Sequence, residues 1–208
     1  MKLIDISRPI HTGMPNWPGD TAAIFQLVAT KAQGSSVNVG KLTMSVHNGT
    51  HADATFHFDD TGARIDQVPP ETYVGPALVV DVRGHDSITI EQLSAHDFSQ
   101  TPRVLFKTDS WTNPALFPEN WPLLAVDVPA WLAARGVKLC GFDVPSVDAP
   151  TSKDLPIHHA IGRSNIVILE NLDLHAVAPG VYELIALPLR IVGGDGSPIR
   201  AVLRTKPC

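Results

Sequence analysis

The sequence predicts a β-rich α/β fold in a single domain spanning residues 1–208, and three observations support this prediction. The chain has 208 residues, a length suited to one domain or a compact pair. Hydrophobic residues make up 44% of the chain and charged residues 18%, which is enough apolar material for a buried core. Short apolar segments, many of them β-branched, alternate with Pro, Gly and Asp along the whole length, as strands bounded by turns do.

Nine segments are predicted as strands because each is short, apolar and bounded by turn residues. In chain order they are Leu3–Ile6, Ile24–Val28, Val37–Val46 (interrupted near Gly40), Ala77–Val82, Val104–Lys107, Lys138–Phe142, Ile166–Leu169, Tyr182–Leu187 and Ile199–Leu203.

Three helices are predicted from start and stop signals. They cover Ile90–Ala95, Pro129–Ala134 and Leu155–Arg163. Thr89 and Asp127 precede the first two as N-caps, Gly136 ends the second, and the third has a proline near its start, where the missing N–H costs little. A Pro- and aromatic-rich stretch, Asn113–Pro122, is predicted to be a loop that covers a site.

Charge and cysteine content exclude several classes of partner and location. The formal net charge is −5 and the basic residues are scattered, so no nucleic-acid partner is expected. No apolar run approaches the roughly 20 residues that span a bilayer, and the N-terminus does not resemble a secretory signal. Cys140 and Cys208 lie far apart and outside any zinc spacing, which predicts free thiols in the cytoplasm.

The segment from residue 45 to residue 58 is the most informative part of the chain. His47, His51, Asp53 and His57 fall within eleven positions, and imidazole and carboxylate are ordinary ligands of divalent ions. Gly49 allows a tight turn that lets the first two rings converge, and Asp53 shares a face with His51 if the chain is extended there. The alternative is a polar loop with solvated histidines. The density of these residues favours a metal site that His57 approaches without necessarily binding.

A second cluster lies about a hundred residues further along the chain. His158 and His159 precede Glu170, which ends an apolar strand, where a carboxylate is costly to bury unless it is paired or bound to metal. Alone, Glu170 could be an exposed strand terminus and the two histidines a surface pair. Together with the first cluster, these residues predict a dinuclear site in which Asp53 and Glu170 bridge two ions.

Several stretches resemble the bacterial kynurenine formamidase (arylformamidase) family of the metal-dependent cyclase superfamily, which also includes isatin hydrolase. They are residues 47–58 (HNGTHADATFHF), 16–20 (NWPGD), 142–148 (FDVPSVD), 152–159 (SKDLPIHH), 168–172 (ILENL) and 196–202 (GSPIRAV). The resemblance runs from about Ile4 to Leu203. One departure is Thr55, where the family usually has Pro; this removes no functional group.

The resemblance implies a swivelling β/β/α (cyclase-like) fold, two bound divalent ions, most simply zinc, and a homodimer. His57 would be the acid/base residue, and His159 is a second choice to His158 as a ligand. Trp17 would line the substrate pocket, and further candidates for the same aromatic wall are Phe25, Phe56, Trp111 and Trp121. In the implied ligand set, His47 and His51 serve one ion and His158 serves the other. The carboxylates of Asp53 and Glu170 serve both ions.

The reaction implied is hydrolysis of N-formyl-L-kynurenine to L-kynurenine and formate in tryptophan degradation, by a metal-held hydroxide with His57 moving the proton. A sister amide hydrolase resembling isatin hydrolase is one alternative, and a non-catalytic metal-binding β-rich module is another. Five ligand candidates and a free histidine favour an open catalytic site over a closed structural one. A serine nucleophile is disfavoured because the chain has no GxSxG motif, and residues 193–196 (GGDG) are predicted to be a hairpin turn.

Overall fold

The computed structural model describes residues 1–205 and contains thirteen strands and three α-helices in that range. The strands are β1 Leu3–Asp5, β2 Ile24–Ala29, β3 Val39–Thr43, β4 His51–Asp53, β5 Val74–Asp81, β6 Ser87–Ile88, β7 Arg103–Lys107, β8 Leu123–Leu124, β9 Leu139–Phe142, β10 Val167–Glu170, β11 Gly180–Ile185, β12 Gly196–Pro198 and β13 Val202–Arg204. The helices are α1 Ile90–Leu93, α2 Val128–Ala133 and α3 Pro156–Arg163. Short 3₁₀ turns cover Lys31–Gln33, Thr55–His57, Ile65–Gln67 and Pro70–Tyr73.

Nine of the strands form one mixed sheet in the order β1-β13-β11-β5-β7-β9-β10-β4-β12. The central strands β5, β7, β9 and β10 run parallel to one another, and the pairs outside them are antiparallel. Parallel neighbours need crossover connections, and α2 and α3 supply two of them. The order matters for the site because β4, which carries the first histidine cluster, lies beside β10, which ends in Glu170.

The central strands are apolar on both faces, as expected for parallel strands covered on both sides. Val104 and Phe106 of β7 belong to a core cluster that includes Leu132 of α2 and Ile161 of α3. Leu105, between them, points to the opposite face and joins a second cluster. The sheet therefore separates two apolar cores, one beneath the helices and one enclosed by the sheet itself.

The second core shows that the sheet is curled. It contains Ala52 of β4 and Leu203 of β13, which lie near opposite ends of the strand order, and these can share a core only if the sheet bends back on itself. The curl encloses Tyr73, Leu139 and other fully buried side chains. The predicted β-rich α/β fold class is confirmed.

Each predicted strand and helix overlaps an observed one, but some bounds were wrong and four short strands were missed. The segment predicted to begin at Val37 is a strand from Val39 to Thr43, and Ile199 lies outside β13 in an isolated bridge to Pro188. The missed strands are β4, β6, β8 and β12. Each has two or three residues, and β4 and β12 contain His, Asp, Gly or Pro, which carry no strand signal.

Strands β2 and β3 form a separate two-stranded arm, residues 24–43, whose apolar side chains are exposed. Phe25 and Leu27 are each 53% exposed, and Leu42, which pairs with Phe25, is 49% exposed. Gly40 lets the Phe25 ring pack against the backbone of β3, since a Cβ atom there would lie 2.6 Å from that ring. The arm thus presents a row of apolar side chains that the two cores do not use.

Cys140 is buried in the first core as a free thiol, and Cys208 lies outside the described residues. None of the helices found in residues 1–205 combines the length and the hydropathy required to cross a lipid bilayer.

Candidate metal centre

Strand β4 joins the two sequence clusters because it lies between β10 and β12. His51 pairs with Glu170 in the β4–β10 register, and Asp53 pairs with Ile168. Since alternate residues of a strand share a face, His51 and Asp53 point in the same direction. The pairing of β4 with β10 therefore brings side chains from residues 47–57 and residues 158–170 to one point.

The orientation of the His51 ring is fixed by its own backbone. Its Nδ1 lies 2.9 Å from the carbonyl oxygen of Gly49, so Nδ1 carries the proton and donates it there. The other ring nitrogen, Nε2, then faces Asp53 Oδ1 at 3.3 Å and Glu170 Oε2 at 3.5 Å. The ring is almost fully buried, and its free nitrogen is oriented as a metal ligand would be.

His47 reaches the same carboxylate from the preceding loop. Gly49 has a φ of 67°, a left-handed conformation that makes the turn between the two histidines. The His47 Nδ1 atom lies 2.9 Å from Asp53 Oδ1, and Nε2 lies 2.9 Å from Asp195 Oδ2. The His47 and His51 rings meet edge to face, with centroids 5.0 Å apart.

His158 approaches from the first turn of α3 and is held by Asp148. Asp148 Oδ2 lies 2.7 Å from His158 Nδ1, and the same carboxylate accepts the backbone N–H groups of Ile157 and His158 at 3.0 Å each. These contacts satisfy two free donors at the helix N-terminus and orient the ring. The His158 Nε2 atom is left facing Asp53 Oδ2 at 3.7 Å and Glu170 Oε1 at 3.8 Å.

Asp53 lies at the centre of the cluster and supplies the test of whether a cation fits. Its Oδ1 faces His47 and His51, but its buried Oδ2 has no hydrogen-bond partner among residues 1–205. A buried charged oxygen without a partner is costly, and a divalent cation would satisfy it. Within residues 1–205, three groups of three residues each have ligand atoms that all lie within 4.8 Å of one another, and two of these groups share Asp53. They are His47–His51–Asp53, Asp53–His57–His158 and His47–His57–Asp195. The residues present therefore fit a divalent metal centre.

The histidines and carboxylates of the cluster shift one another's pKa values. Burial would lower the pKa of His47, but hydrogen bonds with Asp195 and Asp53 outweigh it and raise that pKa to about 9. Burial is likewise outweighed for His51 and His158, whose carboxylate partners raise each pKa to about 10. Burial would raise the pKa of Asp53, but the three histidines hold it well below its usual value. Without metal, protonated histidines therefore balance the negative charge that a bound cation would otherwise balance.

His57 lies beside this cluster with a more open side chain. It ends the 3₁₀ turn that begins at Thr55, and its ring centroid is 4.0 Å from that of His47 and 6.0 Å from that of His158. Its Nδ1 lies 3.6 Å from Asp195 Oδ2, and 33% of the side chain is exposed. Burial is the largest influence on its pKa and lowers it. His57 is therefore neutral near pH 7 and accessible from the cavity.

Asp195 is a site residue that the sequence analysis missed, because residues 193–196 were predicted only as a hairpin turn. Gly193 does lie in a turn, with a φ of 78°, but Asp195 contacts both His47 and His57, and Gly196 begins β12. Gly196 allows this close packing, since a Cβ atom there would lie 2.8 Å from the His47 ring. An acid within a Gly-rich segment was the available signal.

The cluster opens into a cavity of about 700 Å³ with aromatic walls. Trp17, Trp111 and Phe117 line it, and the Trp17 ring meets Phe117 edge to face at 5.5 Å. Phe117 comes from the loop predicted to cover a site, and that loop does border the cavity. Trp121, another candidate wall residue, packs behind Trp17 with centroids 6.3 Å apart.

The remaining candidates lie away from the cavity. His158 joins the cluster because its Nε2 faces Asp53, whereas the His159 ring packs edge to face against Phe58, with centroids 5.7 Å apart. Phe25 lies on the exposed arm, and Phe56 packs beneath the guanidinium of Arg64.

Comparison with known proteins identifies the family of the chain. Residues 4–149 match the family model described as "Putative cyclase". The chain is 47% identical to kynurenine formamidase of Geobacillus thermodenitrificans over 201 residues, which is 97% of this chain and 96% of that protein. It is 45% identical to kynurenine formamidase of Bacillus cytotoxicus with the same coverage. The chain belongs to the kynurenine formamidase family.

Solved structures of other proteins match the fold of this chain over almost its whole length. One, described as a potential metal-dependent hydrolase with cyclase activity, matches with a TM-score of 0.85 and 28% identity over 99% of both chains. Isatin hydrolase A from Ralstonia solanacearum matches with a TM-score of 0.84 and 24% identity, covering 99% of this chain and 92% of that one. The second match shows a shared fold. Membership of this family makes the protein a hydrolase.

Proposed function

We propose that this chain, acting as one hydrolase domain, is a metal-dependent arylformamidase that hydrolyses N-formyl-L-kynurenine to L-kynurenine and formate in tryptophan degradation. The observation that carries the proposal is the buried, unpartnered Oδ2 of Asp53, which lies among histidines at the base of an aromatic cavity. The choice of substrate is supported by the relatives of the chain, since kynurenine formamidases are 44–47% identical to it over about 97% of its length.

The proposed metal complement is two divalent ions, most simply zinc. In this assignment His47 and His51 bind one ion, His158 binds the other, and the carboxylates of Asp53 and Glu170 serve both. The support is that Glu170 directs one oxygen toward His51 and the other toward His158, as Asp53 directs its two oxygens toward opposite sides of the cluster. The ligand types suit zinc and also neighbouring divalent metals.

Hydrolysis of a formanilide requires an activated water, a stabilised carbonyl oxygen and a proton for the leaving aniline nitrogen. Bound divalent ions would supply the first two, by lowering the pKa of a water and polarising the carbonyl. The proton transfer is assigned to His57, which accepts a proton from the attacking water and donates it to the nitrogen as the C–N bond breaks. Its support is an accessible imidazole beside the metal ligands, with Asp195 at 3.6 Å to orient it.

The aromatic ring of the substrate is assigned to the wall that Trp17 forms with Phe117. Edge-to-face aromatic contacts stabilise such a ring beyond simple burial, which supports this assignment. Trp111 also lines the cavity and extends the same wall. It belongs to the segment after β7, whereas the proposed metal ligands lie on or near β4 and β10.

A homodimer is also proposed, as the family resemblance implies, and the exposed arm is the surface that supports it. Phe25, Leu27 and Leu42 lie on one face of the arm, because directly opposed residues of an antiparallel pair share a face. A row of apolar side chains exposed in this way is characteristic of an interaction site. A second copy of the chain is the occupant we propose.

The test of function is hydrolysis of N-formyl-L-kynurenine by the zinc-loaded protein, with isatin as the competing substrate and an EDTA-treated sample as control. Chelator-sensitive release of kynurenine, with isatin unchanged, supports the proposal. Turnover of isatin alone would assign the chain to the sister activity. Bound metal with no turnover of either substrate would mean that the metal site was predicted correctly and that the substrate is a different one.

A further inference from the structure

The cavity contains polar groups that the proposed hydrolysis does not use. Arg8 lines the cavity, and its buried Nε atom has no hydrogen-bond partner in the described part of the chain, residues 1–205. Asn171, which is only 7% exposed, also lines it, and its buried Oδ1 atom is likewise unpartnered within those residues. One group is a donor and the other an acceptor. Buried polar atoms without partners are uncommon in folded proteins, so two of opposite kind in one cavity indicate a ligand.

Both residues are held in fixed positions next to the metal cluster. The Arg8 backbone N–H donates to Thr50 Oγ1 at 2.8 Å, and the same hydroxyl donates to the Asn171 carbonyl at 2.6 Å. Thr50 precedes His51 in the chain, and Asn171 follows Glu170. The Asn171 amide donates to the Gly49 carbonyl at 3.0 Å, which leaves Oδ1 as its free end. Arg8 and Asn171 are therefore both anchored to residues adjacent in the chain to the proposed metal ligands.

The Arg8 guanidinium is oriented by two further contacts. It lies over the Trp111 ring, 3.8 Å from the centroid, and Nη2 donates to the Asp143 carbonyl at 3.2 Å. Stacking of this kind keeps the planar fork fixed while leaving other donors available. The carboxylate of Asp173, which also lines the cavity, lies close enough to interact electrostatically with Arg8. A positive fork and a negative group are thus held near each other.

We propose that Arg8, Asn171 and Asp173 form a subsite for the zwitterionic α-amino-acid end of the substrate. Arg8 binds the carboxylate, and the oxygens of Asn171 and Asp173 accept hydrogen bonds from the ammonium group. This inference rests on the proposed function, since it identifies which part of an aryl formamide the enzyme recognises besides the formamide itself. The subsite gives specificity because an analogue without the amino-acid group leaves these buried polar atoms unpaired.

The experiment compares two substrates that differ only in the amino-acid group. They are N-formyl-L-kynurenine and N-(2-acetylphenyl)formamide. The quantity measured is the kcat/KM of the first substrate divided by the kcat/KM of the second. Arg8→Met keeps the length and the apolar stem over Trp111 but removes the donors. We expect it to lower the ratio by about 10- to 100-fold, the effect of losing hydrogen bonds to a charged group. Arg8→Lys, which keeps the charge but not the fork, should restore only part of it.

Arg135→Met is the matched control. Arg135 also stacks on a tryptophan, 3.6 Å from the Trp131 centroid, but it is exposed on the surface near α2 and does not line the cavity. Its ratio should equal that of the wild type. Asp173→Asn, in an exposed position, is the second variant and should lower the ratio without affecting folding. An unchanged ratio in both Arg8→Met and Asp173→Asn would overturn the proposal.

A binding measurement separates failure of the subsite from failure of the proposed function. Calorimetry with L-kynurenine and with 2-aminoacetophenone makes the same comparison without turnover. Wild-type preference for L-kynurenine that is lost in Arg8→Met supports the subsite even if neither formamide is hydrolysed. Equal affinity of the wild type for both compounds contradicts the subsite, whereas absence of turnover alone contradicts only the proposed reaction.

Discussion

Asp195 Oδ2 lies 2.9 Å from His47 Nε2, although 148 residues separate the two in the chain, and 3.6 Å from His57 Nδ1. One carboxylate oxygen therefore contacts a proposed metal ligand and the proposed proton carrier. Groups that orient ligands and catalytic histidines typically contribute about 10- to 100-fold to metal affinity or activity. Asp195 thus has a specific and testable role.

We expect Asp195→Asn to reduce kcat by about 10- to 100-fold because the amide orients His57 less strongly than a carboxylate does. Steady-state kinetics and metal content, measured on the same preparation, are the readouts. Asp66→Asn is a suitable control, since Asp66 lies in the same region and accepts a hydrogen bond from the Gly193 N–H outside the cluster. An Asp195→Asn variant with the wild-type kcat would contradict the role of Asp195 in orienting His57.

His57 and Asp53 should respond differently to truncation. His57→Ala is expected to retain metal while losing about 10²- to 10⁴-fold in turnover, the usual contribution of proton transfer. Asp53→Ala should lose metal, because its two oxygens face histidines on both sides of the cluster. Metal analysis of the two purified variants makes the comparison. A metal-free His57→Ala protein would show that the division of roles is wrong.

Asp148 is predicted to act through His158. Its carboxylate binds the His158 ring at 2.7 Å, so Asp148→Asn should weaken metal binding by about 10- to 100-fold. Competition with a chromogenic chelator measures this affinity. Asp154→Asn provides the control because Asp154 is exposed in the same loop before α3. Equal affinities of the two variants would contradict the prediction.

The metal-free protein should become less stable as the pH rises. The pKa values of His47, His51 and His158 are raised from about 6.5 to about 9 or 10, so their stabilising contribution is complete below pH 6.5. It is lost as the pH rises through 9 to 10. Thermal unfolding of chelator-treated protein between about pH 6.5 and pH 10 should show a falling Tm.

The matched control for this pH dependence is Asp53→Asn, which removes the charge that all three histidines face. Its metal-free Tm should vary less over the same range. A decline as steep as that of the wild type would mean that other groups cause it.

Dimerisation through the arm predicts that Leu27→Lys yields a monomer. A charge at this 53%-exposed position would be buried without a partner if a second copy covers the arm. Sedimentation velocity gives the oligomeric state. Val126→Lys is the control, because Val126 is an apolar residue with 58% exposure that lies outside the arm. A wild-type monomer, or a dimeric Leu27→Lys variant, would contradict the proposed interface.

Most of the fold could be predicted because apolar strands such as β5, β7 and β9 have a strong local signal in the sequence. Strand β4 could not, since its three residues His-Ala-Asp have no strand propensity and are extended only because β10 and β12 pair with them. The extended conformation of β4 thus depends on tertiary pairing, which the local sequence pattern does not reveal.

The candidate site was predictable where its residues cluster in sequence and unpredictable where they do not. His47, His51 and Asp53 form a dense motif, whereas Asp148 and Asp195 are single acids whose partners lie far away or depend on a helix start. Arg8 gave no signal in the sequence, because the two observations behind its proposed role exist only in the folded chain: an Nε atom unpaired within residues 1–205 and the Trp111 ring beneath the guanidinium. These three residues are brought to the site by contacts between distant parts of the chain, which the sequence pattern does not show.

The order of strands also has a consequence for synthesis of the protein. β4 belongs to the first third of the chain, but its partners β10 and β12 begin at Val167 and Gly196. A nascent chain that ends before Val167 therefore holds His47, His51 and Asp53 without either neighbouring strand. The proposed metal site is therefore complete only after the last part of the chain has been translated and the sheet has closed.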